Sequence, residues 1–203
     1  RRDSIMAYKQ HFIEWFSGAD ISSIWTKRNI IGTGTFAMDD SVDGGFKISH
    51  GSAVNNNSQI DFGNIRQYAE DGSVYIGVVK KSATGGSDVA VYHGFTANIT
   101  GTGMQSAMVE DSSYGEAVLR TGGVSASSTQ SQTSPAINTG TAWYTHQITC
   151  GSANVKLNID GVLKVTKTSD PPTIPMQPFA KSYNTVGTGA DSIQVRYMEC
   201  YNT

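Results

Sequence analysis

The chain has 203 residues, 38% of them hydrophobic, 16% charged and 22 of them glycine, with 15 Lys and Arg against 17 Asp and Glu for a formal charge of -2. That balance leaves no basic surplus to neutralise a phosphate backbone, so nucleic acid is not an expected partner. No apolar run approaches the ~20 residues of a membrane-spanning helix, so a membrane is not expected either, and the length suits one domain with a sizeable core.

The segment after Arg1-Arg2-Asp3 carries no continuous apolar core of the kind a signal peptide has. Over residues 5–15, apolar residues recur at three- and four-residue spacings, at Ile5, Tyr8, Phe12 and Trp15. That pattern predicts a short helix or an arm docked on a neighbour. From Trp25 onward, short apolar or alternating runs are separated by Gly, Asn, Asp and Ser, the pattern of an all-β chain. The clearest strand candidates are 34–38, 45–49, 73–80, 88–93, 106–109, 117–120, 143–149, 154–159, 162–167 and 192–200. So many strands in one domain imply two stacked sheets or a barrel. The expected organisation is an N-terminal arm over 1–18 and a sandwich over 19–203.

Two stretches read as connections. Residues 121–141 are nearly all small and polar, too poor in apolar groups to offset the entropy of ordering, and are expected to form a long surface loop. Pro171, Pro172, Pro175 and Pro178 mark an extended connection, because proline removes ladder donors. Between them lies a hairpin at Asp160-Gly161. A two-residue loop would set Leu157 opposite Lys164 and Val155 opposite Thr166, mixing apolar and polar on one face. A three-residue loop over 159–161 pairs Leu157 with Leu163 and Val155 with Val165, and this second register is expected.

Several segments resemble the concanavalin A-like lectin and glucanase superfamily: FIEWFSGADISSIWTKRNIIGTGTF at the start, WYTHQITCGSANVKLNIDGVLKVTKT with its Asp-Gly hairpin, and PPTIPMQPFAKSYN followed by DSIQVRYMECY at the end. The resemblance implies a two-sheet antiparallel jelly-roll sandwich. The stretches SIWT, GTGTFAMDDSVDGGFKIS and IDFGNIRQY are also similar to structural proteins of tailed bacteriophages, in which such jelly rolls serve as capsid decorations, fibres and receptor-binding tips.

Glucanases of the superfamily hydrolyse sugars with carboxylates alternating on one strand, which the pleat aims into one cleft. Here Glu110-Asp111 with Glu116, and Glu70-Asp71, are the nearest candidates, and adjacent residues point to opposite faces. No catalytic residue is therefore expected. His11, His50, His93 and His146 are scattered, with none at metal-ligand spacing, and read as satisfied or partly exposed strand residues. Cys150 and Cys200 form no CxxC pair, which speaks against a structural zinc and leaves a disulfide between them open.

Asp39, Ser41 and Asp43, followed by Gly44, match the first half of an oxygen-ligand cation loop, although His50 stands where a bidentate Glu is needed; solvated carboxylates in a turn are the alternative. The superfamily often carries one structural calcium, the only cofactor the resemblance adds. Tyr92, Tyr114 and Trp143 are candidates for stacking on sugar rings, with core packing as the alternative. Phe12, Trp15 and Phe16 are candidates for assembly, since a sandwich fills its core from its own faces and leaves an apolar arm to a second copy; the alternative is that the arm packs across its own sheet edge.

The functional expectation is a non-catalytic virion structural or adhesion protein, homo-oligomeric, located in the virion with other virion proteins and binding host-surface glycans. The alternatives are a lectin module at a cell surface or in a secreted protein, and a glucanase-like hydrolase.

Overall fold

The computed structural model describes residues 10–39, 41, 44–65, 67–82, 89–97, 106–111, 116–122, 137–138, 142–184 and 192–203, with backbone alone at 82, 89, 111, 116–118 and 137–138. Every long regular element among them is a strand: β1 (His11–Trp15), β2 (Thr26–Ile31), β3 (Thr35–Met38), β4 (Phe46–Ser49), β5 (Asn57–Asp61), β6 (Ser73–Ser82), β7 (Val89–Thr96) and β8 (Ser106–Asp111). There follow β9 (Glu116–Gly122), β10 (Ile137–Asn138), β11 (Tyr144–Cys150), β12 (Val155–Ile159), β13 (Val162–Lys167), β14 (Gln177–Asn184) and β15 (Ser192–Asn202).

They form two antiparallel sheets. One runs β13-β12-β11-β6-β15-β4-β3, with β1 also paired to β15, and the other runs β10-β9-β8-β7-β14-β5-β2. The core lies between them because alternate residues of facing strands are apolar. Phe46 and Ile48 from β4, Ile148 and Cys150 from β11, Val155, Leu157 and Ile159 from β12, and Ile193 and Val195 from β15 meet Ile60, Val91, Phe95, Val109, Leu119 and Ala180 of the other sheet. Each large aliphatic or aromatic side chain so buried contributes about 1.5–3 kcal/mol. This is the jelly-roll sandwich expected from the sequence.

The N-terminal segment differs from the expectation of a helix or separate arm. Residues 11–15 form a strand whose Phe12 lies opposite Cys200 and whose Trp15 lies opposite Tyr197. Phe12 packs edge-on against Phe62 at 4.9 Å between ring centroids, and Phe16 is buried and stacks on Phe46 at 6.0 Å. Both have a place in the chain's own core, which corrects the premise that the sandwich has no room for them. Of the three assembly candidates, Trp15 alone is open to solvent, 65% exposed.

The hairpin register is also corrected. Ile159 pairs with Val162 and Asn158 with Leu163, so the loop is the two residues Asp160 and Gly161, both at positive φ (49° and 78°). A bulge then inserts Lys164, and Leu157 faces Val165 while Val155 faces Lys167. The turn matches the strand twist, and the bulge restores the apolar face without the expected three-residue loop. Leu163 consequently points outward and is 55% exposed.

Two segments expected as connections contain strands. β14 carries Pro178 one residue before its pairing with β5 begins at Phe179, so the missing donor interrupts no rung on that side. Residues 137–138 pair with β9, within the expected loop 121–141, of which 123–136 and 139–141 lie outside the described residues. Cys150 and Cys200 are free and buried on β11 and β15. With β6 between them they stand two strand spacings, roughly 10 Å, apart, beyond the reach of a disulfide.

Candidate functional site

The outer face of the seven-stranded sheet holds a gathering of charged and aromatic side chains. Pleat parity brings it together. In β14, Ala180 faces the core, so Phe179, Lys181 and Tyr183 face outward. Their partners across the ladder are Asp61, Gln59 and Asn57 of β5 on one side and Gly94, Tyr92 and Ala90 of β7 on the other. Tyr92 in turn stands opposite Glu110 of β8, and Gly94 opposite Met108.

Lys181 is the centre of this face. Its Nζ lies 5.9 Å from the Tyr92 ring centroid and 5.5 Å from that of Tyr183, between two aromatic faces that stabilise a cation. Burial lowers the ammonium's affinity for its proton and raises that of the Tyr92 phenol. Among the described residues no carboxylate pairs with Lys181. The Tyr183 hydroxyl donates to Asn55 Oδ1 at 2.7 Å, which fixes its ring.

On one flank, Asp61 is wholly buried and its carboxylate accepts from Arg28 Nε at 3.0 Å, Gln59 Nε2 at 2.7 Å and the Gly63 backbone N–H at 2.7 Å. A buried carboxylate needs such a set of donors to offset its desolvation. On the other flank, Arg120 of β9 pairs with Glu110. Of the described side chains on this face, Asp61 and Glu110 are the carboxylates. They stand three strand spacings apart, about 14 Å across the sheet alone, whereas two carboxylates that cleave a glycosidic bond lie about 5–9.5 Å apart. Each is also neutralised by an arginine.

The sequence candidates divide. Tyr92 lies on this face, Tyr114 lies outside the described residues, and Trp143 stands just before β11 of the other sheet, its ring flanked by Arg196 at 4.4 Å and Lys80 Nζ at 5.4 Å. The aromatic trio therefore does not form one platform. Lys181, Tyr183, Gln59, Asp61 and Arg28 were missed, although the alternation Lys181-Ser182-Tyr183 on a strand was a usable signal. For the cation loop, Asp39 accepts from the Ser41 backbone N–H at 3.0 Å and from Gln194 Nε2 at 2.7 Å, while Asp43 lies outside the described residues. Among the described residues no three His, Cys, Asp or Glu side chains are grouped to hold a metal. Glu70 and Asp71 sit before β6, where Asp71 accepts from the Ser152 backbone N–H at 2.9 Å.

No family model matches the chain, and no curated protein sequence matches it. Solved structures do. A β-glucanase of Bacillus licheniformis superposes with a TM-score of 0.67 at 14% identity, covering 95% of this chain and 98% of that one. A prokaryotic β-1,3-1,4-glucanase (lichenase) from a mouse hindgut metagenome gives 0.68 at 15% identity over 95% and 98%. The carbohydrate recognition domain of Emp47p gives 0.64 at 10% identity over 97% and 96%. The chain thus has the concanavalin A-like jelly-roll fold, shared by glucanases and by lectin domains. The likeness to phage structural proteins has no counterpart among these neighbours and stays an expectation.

Proposed function

We propose that this domain binds carbohydrate on the outer face of the seven-stranded sheet and does not hydrolyse it. The observation that carries the reading is the Tyr92–Lys181–Tyr183 group. Two tyrosines offer surfaces for the C–H faces of sugar rings, and a partly desolvated ammonium between them donates to hydroxyl oxygens. Arg28, a third exposed, and Arg120 stand to either side as further donors, so an oligosaccharide can lie along Tyr92, Lys181 and Tyr183 over β7 and β14. The fold supports the reading, since its neighbours include a carbohydrate recognition domain. The wide separation of the two carboxylates and their pairing with arginines speak for binding over hydrolysis. The reading is the same whether a virion or a cell surface carries the domain.

A glycan array probed with the full chain and with Tyr92→Ala tests this. Binding to at least one oligosaccharide class, reduced about tenfold or more in the variant, is expected, with no reducing sugar released from laminarin or lichenan. Release that disappears in Glu110→Gln would replace the reading with a hydrolytic one, and a signal unaffected by Tyr92→Ala would move the site elsewhere.

A further inference from the structure

A second feature lies on the other sheet and is independent of the face just described. One flank of β15 is shared by two strands: β4 pairs with residues 192–195 and β1 with residues 197–201. Arg196 is the bulge residue at the seam. Its carbonyl accepts from the Phe16 N–H at 3.0 Å, its Nε donates to the Gly44 carbonyl at 3.3 Å, and its guanidinium lies over the Trp143 ring at 4.4 Å. The backbone at the seam is thus tied to β1, and the guanidinium is held between the Gly44 carbonyl and the Trp143 ring.

Beside the seam is a hollow of about 740 Å³, lined by Trp15, Gly18, Met38, Asp39, Ser41 and Arg196 among others. That volume falls in the ~300–1,000 Å³ range of small-molecule sites. Trp15 stands at its rim, 65% exposed, although Phe12 and Phe16 of the same segment are turned into the core. The indole is not loose. β1 is locked in register on β15, and the ring rests on Tyr197 at 4.5 Å between centroids, with the Tyr197 hydroxyl donating to Glu199 Oε2 at 2.6 Å. Also lining the hollow, the Asp39 carboxylate is held by the Ser41 N–H and Gln194. These hydrogen bonds favour its ionised form.

Beyond its contact with Tyr197, a rigid, exposed indole leaves most of its surface in water and forgoes that part of its hydrophobic contribution. An aromatic platform with a fixed carboxylate and a fixed guanidinium beside it suits one chemistry. The C–H face of a pyranose covers the ring, and its hydroxyls donate to the carboxylate and accept from the guanidinium. Because the two charges cancel locally, the ligand is a neutral sugar. We propose that the hollow at Trp15 is a second saccharide site, taking a neutral pyranose of an oligosaccharide stacked on the Trp15 indole.

The full chain, labelled with 15N on its indole nitrogens, is titrated with cellotetraose, laminaritetraose and mannotetraose, each to about 10 mM. At least one is expected to shift the Trp15 indole resonance while that of buried Trp25 stays in place. Trp15→Ala should weaken that binding about tenfold or more, with Trp15→Tyr retaining it within about fivefold. Lys181→Ala should leave the Trp15 shift unchanged, whatever it does to the opposite face. The proposal is overturned if none of the three sugars moves the Trp15 resonance, or if affinity at this site is the same in Trp15→Ala.

Discussion

His93 of β7 and His146 of β11 face each other between the two sheets, their ring centroids 4.8 Å apart and their planes 30° from parallel. They are 1% and 2% exposed, and none of their four ring nitrogens has a hydrogen-bond partner among the described residues. Tyr75 lies against His93 and Tyr144 against His146. Burial, and for His93 the neighbouring His146, holds the His93 pKa well below its ordinary value. Burial pushes that of His146 down to about 4, against a smaller opposing pull from Asp160.

This pair makes the fold acid-sensitive. Above the unfolded-state pKa of about 6.5, both states carry neutral imidazoles and the stability is fully present. As pH falls from about 6.5 towards 4, the unfolded chain takes up protons that the folded chain refuses, and stability declines by about 1.4 kcal/mol per pH unit for each histidine. His146 alone accounts for a loss of about 3 kcal/mol by pH 4. Urea midpoints at pH 7 and pH 4.5 should differ clearly in the native chain and less in His146→Phe. Equal pH dependence in the two would show that the histidines are not the cause.

Gly94 of β7 sits at φ +132°, and a Cβ there would lie 2.7 Å from both the Ala107 carbonyl oxygen and Ile148 Cδ1. One of those contacts is backbone in the same sheet and cannot move aside. Gly94→Ala should therefore cost about 2 kcal/mol or more in a denaturant melt. A cost under about 0.5 kcal/mol would mean that the strand relaxes freely there.

The Arg28–Asp61 pair couples the candidate site to stability. Removing the guanidinium leaves a fully buried carboxylate with two neutral donors and no cation. Arg28→Ala should destabilise by about 2 kcal/mol, below the ~3–5 kcal/mol of wholly buried pairs because Arg28 is a third exposed. Adding Asp61→Asn should recover part of the loss. If the double variant is no more stable than Arg28→Ala, the buried charge is not what the arginine offsets.

Strands with an apolar face were legible, as in Phe46 and Ile48 of β4 or Val155, Leu157 and Ile159 of β12. β5 was not, because its residues Asn57 to Asp61 are buried on both faces of the sheet and four of the five are polar. They are accommodated by hydrogen bonds such as Ser58 Oγ to Asn29 Oδ1 at 2.6 Å, which no hydrophobic period announces. The hairpin register failed for a related reason: the parity argument allowed for no bulge at Lys164. Gly161 still sits at positive φ, so Gly161→Val should cost about 1 kcal/mol or more, a value that a thermal melt can check. Of the candidate site, Tyr92 was found in advance as a sugar-stacking candidate, and Glu110 was singled out only as a carboxylate set aside for catalysis. Lys181, Tyr183 and Asp61 join Tyr92 through the order β8-β7-β14-β5, which places residues some ninety positions apart in sequence on neighbouring strands.

Chemical-shift mapping of the backbone amides with an oligosaccharide identified by array bears most directly on the central claim. Perturbations should concentrate at residue 92 of β7 and residues 181–183 of β14, and should fall sharply in Lys181→Ala. A saccharide that binds without disturbing these strands, or a Lys181→Ala chain that binds it as well as the native one, would contradict the account.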